Sequence, residues 1–516
     1  MKEIPFDKKT SVYESGLSEP INFGVATDDV ARRSNGGKMD PNEVFASYDR
    51  FHGTTWDKFI VAWTMLKTWT SHWRTYDDYA AVNAAAFFKA RMSDRAWRIW
   101  KACYGPWIGP DWTRCSLHHV GQFFRKNLMS GHVYAHVNRQ GKSWTHRSGS
   151  GWLVLTGPSS ECWIDRWVTY LHKKYNVTFH FGTKLTCFQF DVRNRRIVSA
   201  QLNDARHMDG SITEVVADIY VLATTPFAAR DVLRRTPSLA LCEPELCKFE
   251  PLTRGPFLPH TQISFRFPFS EKILWTLPRT ALVIAPSEFN ITMCAEEQVW
   301  TSSAAASFVS ASDLLGRGVK SLWTATACAC NVPGRIFGKP AIECTREEFI
   351  EEVVAQVLDC KALDVLVRSA NAGRGIRSFK MLPVEVWHEW GFPSHDEKSG
   401  TVNARQPKWV TTTETEPHLP NQQLRNISNL CVAGGHTRTD ADLWSIEAAV
   451  ESGRRAAAVY HPTRVIVHRQ YKHPVLKVIS AFDDVLYVSR FPHILDSLCL
   501  LLVILVLVAL WRVLCS

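Results

Sequence analysis

The end of the chain sets the hardest constraint on what it can fold into. From Leu498 to Trp511 every residue is apolar, a run of fourteen. A helix made of it has no polar face to turn to water, so it must be buried on all sides or surrounded by lipid. With Ile494 and Leu495 the run approaches the length of a membrane helix, and Asp496 and Arg512 bracket it. Arg464, Arg469, Lys472, Lys477 and Arg490 precede it, the positive flank carried by the cytoplasmic side of membrane helices. The sequence therefore predicts a basic linker at 461–493, a transmembrane helix as tail anchor at 494–514, and a body facing the cytoplasm. The opening residues, MKEIPFDKKT, lack the apolar core of a secretory signal.

The rest of the composition is that of an ordinary folded chain. Of 516 residues, 46% are hydrophobic and 21% charged, enough for several domains with large cores. The net charge of +10 forms no block of like sign and accompanies no nucleic-acid-binding motif, so no nucleic-acid partner is expected. Fourteen cysteines at irregular spacings contain no CxxC pair, which predicts buried free thiols rather than a disulfide framework or a zinc site. His118–His119 lacks the spacing to hold one metal from one helix face, and His388–Glu389 lacks the second histidine of a zinc-protease motif. No metal is expected.

Periodicity organises the remainder. Residues 1–40 read as an irregular lead-in and 41–144 as a helical, Trp-rich part of a substrate domain. Phe59, Ile60, Trp63, Leu66, Trp69 and Trp73 predict an amphipathic helix, with a second over Asp77–Ala102. Twelve of the twenty tryptophans lie between Trp56 and Trp167, either as an aromatic core or as the lining of a cavity for a long apolar molecule. Beyond Gly149, strands are expected at Val177–Phe181, Leu185–Val192, Arg196–Leu202 and Val215–Ala223, the last followed by a helix over Phe227–Arg234. An apolar strand running into a helix is what a parallel nucleotide-binding sheet needs. Thr345 and Glu348 form a capping box for a helix over Arg346–Leu358. Near the end come a strand at Leu430–Ala433, a tight turn at Gly434–Gly435 and a long helix over Asp442–Tyr460.

Two segments carry a resemblance. NLCVAGGHTRTDADLWSIEAAVESGRRAAAVY (Asn429–Tyr460) resembles the closing flavin motif of the FAD-dependent amine-oxidase and carotenoid (phytoene) desaturase superfamily. GWLVLTGPSSECWIDRWVTYLHKKYNVTFHFGTKLTCFQFD (Gly151–Asp191) resembles an element of its hydroxysqualene dehydroxylase-type subgroup, and the likeness runs from roughly Tyr76 to Tyr460. It implies an α/β fold: a Rossmann-like FAD-binding domain split between 145–235 and 420–460, with an α+β substrate domain that includes 236–419. It places Thr183 and Leu185 near the adenosine, Ala223 and Thr224 beside the cofactor, and Gly434, Gly435 and Thr439 in its turn. The helix N–H groups of Asp442, Leu443 and Trp444 would face the isoalloxazine ring, where partial positive charge stabilises reduced flavin.

The chain departs from the family pattern twice. The strand–GxGxxG–helix unit that holds the pyrophosphate is not found in it, and Gly435 stands where the family carries an acidic residue. Losing about three charge-assisted hydrogen bonds, at roughly 1.5–3 kcal/mol each, weakens binding by roughly three to six decades. The expectation is a membrane-anchored FAD-dependent oxidoreductase taking hydride from a hydrophobic, isoprenoid-like substrate. The alternative is a non-catalytic membrane protein that keeps the fold without FAD. No catalytic side chain is assigned, because the flavin itself accepts the hydride.

Overall fold

A computed structural model describes residues 18–20, 22–26, 45–47, 53–97, 100–101, 114–133, 153–155, 159–204, 212–253, 262–274, 280–284, 286–296, 318–387, 390–394, 400–404, 409, 411–441, 445–467 and 473–515. In chain order, the first part forms β1 (Ser18–Pro20), β2 (Asn22–Ala26), β3 (Phe45–Ser47), α1 (Thr55–Trp69), α2 (Ala84–Lys89), α3 (Leu117–Val133), β4 (Leu153–Leu155) and α4 (Asp165–Tyr175). The middle holds β5 (Thr183–Asp191), β6 (Arg196–Asp204), β7 (Ile212–Val215), β8 (Tyr220–Leu222), α5 (Pro226–Arg234), β9 (Ile263–Phe269), β10 (Thr280–Ile284), β11 (Ile291–Ala295) and β12 (Ser321–Ala327). The last part holds α6 (Arg346–Leu358), α7 (Lys361–Ala370), β13 (Glu385–Val386), β14 (Trp390–Gly391), β15 (Asn403–Ala404), β16 (Leu430–Val432), α8 (Ile446–Tyr460), α9 (Pro474–Val488) and α10 (Ile494–Cys515).

Local chemistry accounts for the helix starts. Thr54 and Asp57 close a capping box on α1, and buried Asp57 also takes the N–H and hydroxyl of Ser93 at 2.7 and 2.8 Å. Thr345 and Glu348 close the expected box on α6. One turn on, Glu352 accepts the backbone N–H groups of Arg335, Ile336 and Phe337 at 2.9, 2.6 and 2.9 Å, which ties the preceding loop to the helix.

The largest sheet has the order β13-β9-β12-β11-β10-β2-β3, antiparallel except where β10 runs parallel to β2. Alternation along β9 sends Phe265, Phe267 and Phe269 into a core with Trp323, Phe289 and Phe349, covered by α6 and α7. A second core packs Leu222, Leu430 and Val432 against α5 and the helical turns that follow it. A third joins α1, α2 and α3 through Trp69, Phe88, Trp100 and Phe124. Among the described tryptophans of this region, Trp69 and Trp100 are buried in this core, while Trp56, Trp73 and Trp167 are exposed.

Several expectations are corrected. The fold is mixed helix and sheet with small sheets rather than a Rossmann-like domain. β5, β6 and β7 form an antiparallel three-stranded sheet, and β8 and β16 pair in parallel as two strands alone. Only Val192–Arg195 separates β5 from β6, with Arg195 in the left-handed region at φ 50°. Four residues close a hairpin, whereas a parallel crossover needs a dozen or more. Residues 177–181 are not a strand; the segment Asp77–Ala102 breaks into a π-helical turn (Thr75–Tyr79) and α2; and the lead-in contributes β2 to the main sheet. The basic linker contains α9.

The C-terminal transmembrane helix is likewise overturned. Among the described residues, no helix is long and apolar enough to cross a membrane. The first turn of α10 is polar and tied down: Asp496 accepts from Lys67 Nζ at 2.5 Å and from the Trp63 indole at 3.2 Å. The fourteen apolar residues beyond it rise roughly 21 Å, against about 30 Å of bilayer hydrocarbon.

Two side chains join the small sheets: the Tyr220 hydroxyl on β8 reaches the carbonyls of Val198 and Val215 at 3.2 and 3.4 Å, and Asn429 bridges to β6. The Asn429 amide, 6% exposed, accepts from Ile197 N at 2.8 Å and donates to Ile197 O at 2.9 Å, while its own carbonyl accepts from Tyr220 N at 2.8 Å. It therefore continues β6 of the antiparallel sheet into the β8–β16 pair. In Asn429→Ala, both Ile197 backbone groups lose their partner in a buried place, and the chain should lose about 2–5 kcal/mol. Urea unfolding checks this; an unchanged midpoint would mean that the two sheets are held together otherwise.

Candidate functional site

β8 and β16 run parallel with Tyr220 opposite Leu430 and Leu222 opposite Val432, and Ala433 N donates to Leu222 O at 3.0 Å. Both strands therefore leave the sheet on the same edge. There Ala223 and Thr224 meet the turn beginning at Gly434, at the carboxyl ends of parallel strands, where ligands of α/β sheets bind. Each exit leads to a capped helix. Thr225 accepts from Ala228 N at 3.4 Å to start α5, and Ser445 accepts from Ala448 N at 3.2 Å to start α8.

The second turn is tightly knit. Gly434 sits at φ 139°, a conformation side chains rarely adopt, and an added Cβ there would stand 2.5 Å from His436 Cε1. Its N–H donates to Ser452 Oγ at 3.0 Å, and its carbonyl accepts from the Thr437 hydroxyl at 2.8 Å. Gln422 Nε2 donates to Thr437 Oγ1 and to the carbonyl of Arg438, both at 2.7 Å. Glu451 accepts from Asp440 N at 2.7 Å and Ala441 N at 2.9 Å, and Arg455 braces it at 2.7 Å. Arg438 lies over the Tyr76 ring at 5.7 Å, Tyr76 meets His118 edge-on at 5.3 Å, and His118 Nδ1 pairs with buried Glu416. This chain of contacts sets the turn against the Trp-rich helices.

Two buried polar atoms at this edge have no hydrogen-bond partner among the described residues: Thr224 Oγ1 and His436 Nε2. His436 is 3% exposed and stands between the rings of Phe249 and Trp409, at 5.6 and 6.2 Å. Burial alone lowers its pKa to about 4, so the imidazole is neutral at physiological pH.

The expected site residues divide accordingly. Ala223, Thr224, Gly434 and Gly435 share the strand-end edge, and Thr439 is buried five residues beyond Gly434. Thr183 and Leu185 lie on β5 of the neighbouring sheet, with Leu185 packed into the same core. Asp442, Leu443 and Trp444 lie outside the described residues, and α8 begins four residues later than expected because Ser445, not a residue before Asp442, caps it. The first helix N–H groups are thus those of Ile446, Glu447 and Ala448. His436, Gln422, Glu451 and Ser452 shape the turn and were not singled out as site residues; the Glu-Ser pair inside an alanine-rich helix was the one signal for the last two. Among the described residues, no cluster of His, Cys, Asp and Glu could hold a metal ion.

Tested against FAD, the residues fit in one respect and fail in another. Two buried polar atoms needing partners fit a polar ligand group at the strand ends. The N–H groups of Gly434, Asp440 and Ala441 are already bonded within the protein, so they offer a pyrophosphate nothing. No family model matches the chain, and no curated protein matches it.

The histidine makes acid sensitivity a testable consequence. Unfolded, His436 takes its proton near pH 6.5; folded, it stays neutral to about 4. As pH falls through that window the unfolded chain gains the proton first, so stability falls, by about 3 kcal/mol across the full window. His493, buried and lowered to about 4 although Asp483 opposes the shift, acts in the same direction. His436→Gln should flatten the pH dependence of the urea midpoint between about pH 6.5 and 4. An equally steep dependence in that variant would show that the imidazole titrates freely in the native state.

Proposed function

We propose that the chain is an FAD-dependent oxidoreductase that takes hydride from a hydrophobic, isoprenoid-class substrate. The observation that carries this reading is the shared edge of β8 and β16, where two strand-end turns converge and Thr224 Oγ1 and His436 Nε2 are buried without partners among the described residues. When bound, FAD would supply the hydride acceptor.

The protein's own residues would bind, orient and exclude water. The Thr224 hydroxyl can donate or accept a hydrogen bond, and His436 Nε2 donates in the tautomer that protonates it and accepts in the other. Neutral histidine would orient a polar edge by hydrogen bonding without adding charge to the site. Phe249 and Trp409 wall the histidine from water. The first N–H groups of α8, those of Ile446 and Glu447, would carry partial positive charge suited to an anionic reduced ring.

The second reading, a fold kept without FAD, has its own support. The His436 ring covers Gly434, the surrounding N–H groups are internally bonded, and Gly435 replaces the family's acid.

The visible spectrum of the full-length protein in detergent, before and after excess FAD, separates the two. Blue and near-ultraviolet flavin bands that stay with the protein through desalting, and weaken at least tenfold in affinity in Thr224→Val, support the oxidoreductase reading. A colourless protein that retains no added FAD overturns it for this chain and leaves the second.

A further inference from the structure

The C-terminal pair of helices is inverted in polarity. On α9 the buried positions are Leu476, Ser480 and Asp483, with Asp483 fully buried, while Val475, Val478, Phe482, Val485 and Val488 are 56–76% exposed. At 100° per residue these two sets occupy opposite faces. A helix facing water does the reverse, hiding its valines and showing its aspartates.

The inward polar side is a latch onto the body. Arg74 Nε donates to both oxygens of Asp483 at 3.1 and 3.3 Å, and Arg74 Nη2 donates to Phe491 O at 2.6 Å. Asp483 also accepts from Ile494 N at 2.9 Å, and the Tyr487 hydroxyl donates to Asp77 at 2.6 Å. Together with the Lys67–Asp496 pair, these contacts hold α9 and the first turn of α10 against α1 and the π-helical turn that follows it. The helices are therefore placed with their apolar surface outward.

Beyond that turn, α10 is exposed on every side: all the apolar residues from Leu498 to Val508 whose exposure is large stand between 45% and 62%. The shape of this exposure selects the occupant. A folded partner or a second copy covers one face of a helix, whereas lipid covers all of it. The rim matches too. Beside the latch, Trp56 on α1 and Trp73 just beyond it are 60% and 50% exposed, amphipathic rings of the kind that favour the headgroup level. Lys477 and Arg490 flank the apolar stripe of α9 and suit an anionic lipid surface.

We propose that α9 and α10, with the exposed aromatic edge of α1, form a monotopic docking surface for one leaflet of an anionic lipid bilayer, entering it without crossing. This inference is independent of the flavin reading, since none of its residues belongs to the strand-end site. Its consequence for any substrate-binding role is placement: the body is held at a lipid surface by its own polar latch rather than on a flexible tether.

Vesicle flotation of the full-length protein, after detergent removal in the presence of phosphatidylcholine vesicles with or without phosphatidylserine, tests it. The wild type should float, at least threefold better with phosphatidylserine. Val478→Glu/Phe482→Glu/Val485→Glu should reduce flotation at least tenfold, whereas Phe482→Leu should not. Circular dichroism melting in detergent verifies that the triple variant is folded; if it is not, Val485→Glu alone should reduce flotation threefold or more. Charged variants that float like the wild type would overturn the proposal. So would a wild type that stays with the dense fraction as a defined oligomer with 475–508 protected from hydrogen exchange, since a second copy would then be the cover. Protease cleavage of the extreme C-terminus only inside sealed vesicles would overturn the monotopic arrangement.

Discussion

The Asn429 amide is the constraint on which the candidate site depends. Two strands of three residues each do not make a stable sheet, and β8 and β16 are only that long. By pairing with both backbone groups of Ile197, Asn429 lets the longer β5–β6 hairpin support them. A side chain can do what a strand does here because an amide presents one donor and one acceptor in a plane, as a peptide does. With the strand pair held, its carboxyl edge has a definite place, and so do Ala223, Thr224 and Gly434.

The same device recurs, with carboxylates in place of the amide. Asp57, Glu352, Glu451 and Asp483 are all buried and each accepts at least one backbone N–H that no helix or strand satisfies. A buried carboxylate is costly unless such donors surround it, and removing the carboxylate strands the donors in turn. These residues therefore fasten irregular segments rather than strengthen regular ones. At the candidate site this has a functional price: Glu451 and Ser452 order the turn by using N–H groups that a phosphate would need. Order in the turn and affinity for an anion compete for the same atoms, which is why the fit to FAD is divided.

Polarity is arranged oppositely in the main sheet and on α9. In the main sheet, Phe265, Phe267 and Phe269 turn inward and the charges stay outside. On α9 the aspartate turns inward to Arg74 and the valines turn outward. Both follow from the rule that an apolar surface goes where water is not. The latch is what permits the second arrangement, since it gives Asp483 a charged partner and two helices a fixed attachment.

What the sequence by itself determined was local. The capping box at Thr345, the strand at Leu430, the helix after Thr225 and the apolar C-terminal run are written in neighbouring residues, because hydrogen bonds and side-chain periodicity act over a few positions. Tertiary structure decided the rest. The parallel pairing of β8 with β16 brings the strand ends before Ala223 and Gly434 side by side. Strand direction from 183 to 204 depended on a hairpin four residues long, the start of α8 on which residue caps it, and the sheet junction on Asn429 finding Ile197 some 230 positions away. The polar face of α9 looked like part of a linker until Arg74, more than 400 positions earlier, met Asp483. No local pattern encodes such pairs, since what selects them is burial, and burial exists only once the chain has closed on itself.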